Sequence, residues 1–162
     1  MKNVEVLTKP IGPITAEEVV EMVPTLKQMP VVEVGELLVQ LDDVELPGIL
    51  DLFEPEQQGF ILAEFPLERQ LLLFQSLSKK RFALIFEQMP SDSRADLFQH
   101  LTQQEQAALL PYLSKAVRED VIALSAYPPD TAGGIMSTDF ATVQEDMTCA
   151  EAIAKVRQDA PS

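Results

Sequence analysis

Apolar residues recur in pairs along most of this chain. Leu37 with Leu38, Ile61 with Leu62, Ile85 with Phe86 and Leu109 with Leu110 stand 24 residues apart in one register. Ile49 with Leu50, Leu73 with Phe74, Leu97 with Phe98 and Val121 with Ile122 form a second series of the same period. The two series interleave about every 12 residues, which fits two short helices per repeat with a turn between them. Gly35, Gly59, Ala83 and Ala107 also fall in register, and small residues at a fixed place suit a close helix–helix crossing. One helix pair cannot bury its apolar face alone. The blocks 31–55, 55–78, 79–102 and 103–125 must therefore stack, which predicts an all-α, right- or left-handed superhelical solenoid. The pattern predicts helices over 34–41, 45–53, 56–64, 67–77, 79–88, 91–101, 103–113 and 115–126. Ser91 and Ser114 read as N-caps.

The two flanks read differently. Residues 1–33 form a poorly defined lead, in which Val4 to Leu7 could be a short strand. Thr15 and Glu18 have capping-box spacing for a helix through about Met22, after which Pro24 and Pro30 should interrupt. The period also changes after Tyr127. Pro128 and Pro129 stop a helix, Asp130 and Thr131 are turn formers, and Gly133 and Gly134 permit close backbone approach. Beyond this joint, residues 140–143 read as a short strand and Glu145 with Asp146 as a turn. Thr148 then caps a helix to about Gln158. One strand and one helix cannot make an independent core, so residues 128–162 read as a linker and the truncated beginning of another module.

Charge narrows the choice of partner. The chain has 162 residues, 12 basic against 26 acidic, for a net charge of −14. That disfavours nucleic acid and anionic lipid and favours cations or a basic partner. From residue 28 to residue 68 there are ten acids and no Lys or Arg, either a further cation surface or a solubility device. The single cysteine, Cys149, excludes an intramolecular disulfide and reads as a small buried apolar residue. The longest apolar run, residues 82–86, is far short of the roughly 20 residues a membrane span needs, so direct membrane insertion is not expected.

The stretch AYPPDTAGGIMSTDFATVQEDMTCAEAIAKVR resembles the junction of MgtE-type magnesium transporters. There, a superhelical N-terminal domain passes through a Y-x-x-D-x-A-G-G-x-M-T/S segment into a pair of CBS motifs. The resemblance makes residues 34–127 the N-terminal α-superhelical domain and residues 128–162 the start of the first CBS motif. It implies a regulatory domain at the cytoplasmic face of the inner membrane, in a homodimeric transporter. Its partners would be the CBS pair, the connecting helix and the pore. Its ligand would be Mg2+, held weakly by this piece alone and holding the pore closed by docking the N domain onto the CBS domains. Matching FEQMPSDSRADLF to the family places two ligand carboxylates at Asp92 and Asp96, and Gly134 at a position whose carbonyl faces the same interface. A further family acid falls on Phe60 and stays unassigned.

Spacing alone gives plainer readings of the same residues. Asp92 in a first helical turn complements the helix dipole without any ligand, and Asp96 reads as solvated, with Arg94 nearby. His100 lacks a second His or Cys partner, and Lys79, Lys80 and Arg81 read as a solvated basic run. Met22, Met29, Met89, Met136 and Met147 read as filling of the core and joint. No nucleophile, base and orienter assemble, so no enzyme is expected. The alternative is an α-solenoid protein-interaction module like the repeats of the flagellar motor-switch protein. The joint and the segment after it set the two apart.

Overall fold

A twelve-residue template sets the helix starts. The computed structural model describes residues 14–128, 131–133 and 136–159. Glu54, Pro66, Ser78, Pro90, Thr102 and Ser114 are the N-caps of six consecutive helices. The residue before each cap is apolar: Phe53, Phe65, Leu77, Met89, Leu101 and Leu113. It turns inward, and its carbonyl leaves the solvent without an intrahelical donor, which costs free energy unless a partner is supplied. The residue four past the cap supplies it. Gln58 Nε2 donates to the Phe53 carbonyl at 2.7 Å and Gln70 Nε2 to Phe65 at 2.8 Å. Arg94 donates to Met89 at 2.7 Å, Gln106 to Leu101 at 3.1 Å and Arg118 to Leu113 at 2.9 Å. In the helix capped by Ser78 the equivalent residue is Phe82, which is buried and packs instead.

The chain divides into two compact units, Met1–Gln88 and Met89–Ser162. The first contains α1 (Ala16–Leu26), α2 (Val31–Leu38), α3 (Leu46–Leu50), α4 (Pro55–Ala63), α5 (Leu67–Ser76) and α6 (Lys79–Phe86). Alternate helices pack: α1 on α3, α2 on α4 and α4 on α6, with α5 also against α6. The crossings close over glycine. A Cβ on Gly35 would stand 2.7 Å from Glu64 Cβ, and one on Gly59 would stand 2.3 Å from the Gln88 carbonyl carbon. Leu38, Leu50, Ile61, Leu62, Phe74, Phe82 and Phe86 are buried, with Phe82 edge-on to Phe74 at 5.1 Å between centroids. This is stacking in the manner of a helical repeat.

The second unit contains α7 (Ser91–His100), α8 (Gln103–Leu109), a 3-10 turn at Leu110–Tyr112, α9 (Lys115–Ser125) and α10 (Cys149–Asp159). Helix α7 packs along α9 over buried Leu97, Phe98, Leu101, Val121 and Leu124. All the regular elements among the described residues are helical, as the apolar register requires.

Several expectations change. Pro30 does not interrupt a helix but caps one, so α2 begins at Val31 rather than residue 34; Pro66 and Pro90 cap likewise. Proline serves at a helix start because its missing N–H would be unpaired there in any case. Pro24 lies inside α1, which runs on to Leu26. The carbonyl it deprives of a donor belongs to half-exposed Val20, within reach of water. Helix α8 stops at Leu109 because Pro111 cannot donate to the next turn. Pro90, not Ser91, is the cap of α7. Residues 140–143 form no strand, since no neighbouring strand offers them a ladder among the described residues. Glu145 and Asp146 do form a turn. Cys149 is exposed rather than buried, and so is Met136, while Met89 is buried as expected. The strand considered for Val4 to Leu7 lies outside the described residues.

Candidate metal site at the start of α7

Helix α7 carries Asp92 in its first turn and Asp96 one turn later, on one face. Asp92 is half-buried, whereas the Asp96 side chain is 59% exposed. Among the described residues neither carboxylate forms an ion pair with Lys or Arg. Asp96 instead has His100 one turn on. The imidazole Nδ1 lies 2.7 Å from the Asp96 backbone oxygen and 3.8 Å from its carboxylate. Arg94, between the two aspartates in sequence, is 8% exposed and turned inward. One of its nitrogens donates to the Met89 carbonyl, the other to Asp120 Oδ2 on α9 at 3.0 Å.

The start of α7 is also tied to the chain beyond the joint. Ser91 N–H donates to Asp139 Oδ2 at 2.6 Å, and Thr138 N–H donates to Ser91 Oγ at 2.9 Å. Ser91 Oγ and Ser137 Oγ are 3.0 Å apart, and Ser91 is fully buried. Thr138 Oγ1 donates to the other oxygen of Asp120 at 2.7 Å. Asp139 thus takes the place of an N-cap side chain that Pro90 cannot offer. Ser91 stood out in the sequence only as an N-cap, and Asp120, Ser137, Thr138 and Asp139 did not stand out, although the S-T-D run after the joint holds three short side chains suited to backbone capping. Arg94 takes the template place that Gln58, Gln70 and Phe82 hold in the helices before it, and Arg118 takes it in α9.

Of the three ligands that the resemblance named, Asp92 and Asp96 are brought together by the helix, and Gly134 lies outside the described residues. Gly133, beside it, packs on the Tyr127 ring so closely that a Cβ would stand 2.4 Å from Cδ1. No three His, Cys, Asp or Glu side chains converge to a metal-binding group among the described residues. The donor set at α7 is therefore two carboxylates. That suits a hard cation which retains most of its water and takes one or two protein carboxylates.

The basic run after Ser78 has other uses. Lys79 lies 3.5 Å over the Phe74 ring, and Arg81 binds Asp51 and the Gln58 side chain. With Lys27 on Glu54 and Arg69 on Asp43, cations flanking the acid-only stretch reach into it. No described helix is long and apolar enough to cross a membrane.

Residues 29–130 match the family described as the MgtE intracellular N domain. A search of curated proteins found no match. Among solved structures, the soluble part of a magnesium transporter superposes with a TM-score of 0.77 at 17% identity, over 89% of this chain and 60% of that one. The cytosolic domain of the Mg2+ channel MgtE in complex with ATP gives 0.45 at 24% identity, over 89% of this chain and 65% of that one. The chain thus spans less than two thirds of either. With the family match extending over most of the chain, and with the helical fold shared with the first of these structures, this chain belongs to the MgtE intracellular N domain family.

Proposed function

We propose that this chain is the magnesium-sensing regulatory domain of a magnesium transporter, with Asp92 and Asp96 as ion ligands and the Gly134 carbonyl facing the same interface. The observation that carries the proposal is the position of the two aspartates within the matched region, one turn apart on α7. In this reading residues 34–127 form the N domain, and residues 128–162 lead into a CBS pair. The remaining partners are the pore and a second copy, with the domain at the cytoplasmic face of the membrane. The reaction class is ion transport, without enzymatic chemistry.

A bound Mg2+ would supply positive charge between acidic surfaces. Residues 92 and 96 supply oxygen donors on a helix already fixed at its other face by Arg94 and Asp120. Helix α7 therefore presents the carboxylates without reorganising. At a net charge of −14, the chain's acids repel another acidic surface when no ion stands between them. An ion that engages only the docked arrangement shifts the population towards it, as any ligand-driven switch requires.

The test is Mg2+ flux through the full transporter in liposomes, with the ion varied on the side of this domain. Wild type should shut down as Mg2+ rises, and Asp92→Asn/Asp96→Asn should need several-fold more ion. Identical dependence in the two proteins removes both aspartates from the site.

A further inference from the structure

Beyond the metal reading, we infer that residues 137–139 form a latch that fixes the chain to α7 and α9, so that the pivot for the segment that follows lies in residues 140–147. The stretch with two prolines and two glycines reads in sequence as a joint, and hydrogen bonds tie the chain at both its ends to one helix. At the entry, Gln99 Nε2 of α7 donates to the Tyr127 carbonyl at 3.0 Å. At the exit, Ser91 at the other end of α7 exchanges bonds with Ser137, Thr138 and Asp139. Tyr127 and residues 137–139 are therefore tied to opposite ends of a helix of 10 residues. Asp120 of α9 extends the latch by holding Arg94 with one oxygen and Thr138 with the other. Asp139 N–H closes on Ser137 Oγ at 3.1 Å within the latch itself. After Asp139 the bonds change character. Phe140 N–H reaches back only to Thr138 at 2.9 Å, and Met147 N–H to Gln144 at 3.2 Å, both local turns. Phe140 and Val143 are 65% and 48% exposed. A chain with long-range polar ties up to residue 139 and local ones after it bends after residue 139.

The first turn of α7 thus has two roles at adjacent residues. Ser91 holds the outgoing chain while the next residue is the half-buried Asp92, so a change at this turn passes directly into the outgoing segment.

Hydrogen exchange on the whole chain, without added metal, tests the latch. In wild type the Thr138 and Asp139 amides should exchange at least roughly tenfold more slowly than those of residues 141–143. Ser91→Ala, which removes the acceptor of the Thr138 N–H, should bring the Thr138 rate to that of residues 141–143 while the amides in the middle of α7 keep their protection. Thr138→Val, which removes only the bond to Asp120, should reduce the difference and serves should Ser91→Ala loosen α7 as a whole. Equal rates for residues 138–139 and 141–143 in wild type overturn the inference. So does a latch whose protection survives both variants.

Discussion

The α2–α4–α6 stack of the first unit and the α7–α9 pair of the second start from the same twelve-residue template and close in opposite ways. In the first, the close crossings depend on having no side chain: Gly35 and Gly59 let neighbouring helices approach to backbone distance. The polar template residues there, Gln58 and Gln70, are neutral and satisfy loop carbonyls, and Gln58 also accepts from Arg81 within the same unit. In the second, α8 keeps a glutamine, Gln106, but in α7 Arg94 takes that place. Its extra reach spans to Asp120, and through Asp120 to Thr138. One substitution in a repeated position turns a scaffold contact into the centre of a polar network. The first unit is built to stack, the second to hold a specific outgoing chain.

Breaking the apolar crossing should cost most. Gly59→Val puts a Cβ inside the Gln88 backbone, and denaturant unfolding should show a loss of about 3 kcal/mol, as overpacking does. Gly48 in α3 has open space around it, so Gly48→Ala should stabilise by about 0.5 kcal/mol through helix propensity. A glycine effect of the same sign at both positions contradicts the crossing argument.

The polar closure should come next. Arg94→Met leaves the Asp120 carboxylate and the Met89 carbonyl without their partner, for a loss of about 2 kcal/mol. Adding Asp120→Asn should recover part of it in a double-mutant cycle; strict additivity breaks the network. Gln70→Leu in the first unit removes the donor to the Phe65 carbonyl and the longer contact to Ala63, and should cost about 1 kcal/mol. A glutamine loss as large as the arginine loss would erase the distinction between the units.

The smallest effect is acid fraying at two helix starts. Glu18 is held below the ordinary glutamate range by the Thr15 backbone N–H and then its hydroxyl, and Glu151 by the Thr148 hydroxyl and then its backbone N–H. Folding lowers both values, so the capping contribution is full above the ordinary glutamate range and is lost as pH falls through the lowered one. Carboxyl NMR titration should place both midpoints below that of an unstructured glutamate. Midpoints at or above it contradict the capping boxes.

Most of the helical layout is legible in the sequence because stacked repeats bury apolar residues at fixed intervals, and Leu37 with Leu38 or Leu73 with Phe74 mark the buried face. The capping boxes at Thr15 and Thr148 are legible because they are local. Pro30 and Pro90 mislead because a proline can start a helix as readily as end one, and only the packing of Val34 or Ala95 decides. The latch is illegible for a different reason. Ser91 and Asp139 are 48 residues apart, and no periodicity joins them. Asp92 and Asp96 are visible as acids, but their exposure and the inward turn of Arg94 come only from the packing of α7 on α9.

The most direct test of the sensor reading is limited proteolysis of the full-length transporter across a Mg2+ titration, comparing wild type with Asp92→Ala/Asp96→Ala. The account predicts that millimolar Mg2+ protects the bonds after residue 139 in wild type and leaves them open in the double variant, because docking needs both carboxylates. Equal protection in the two proteins would place the ion elsewhere, and protection in neither would leave a helical repeat that binds partners without sensing magnesium.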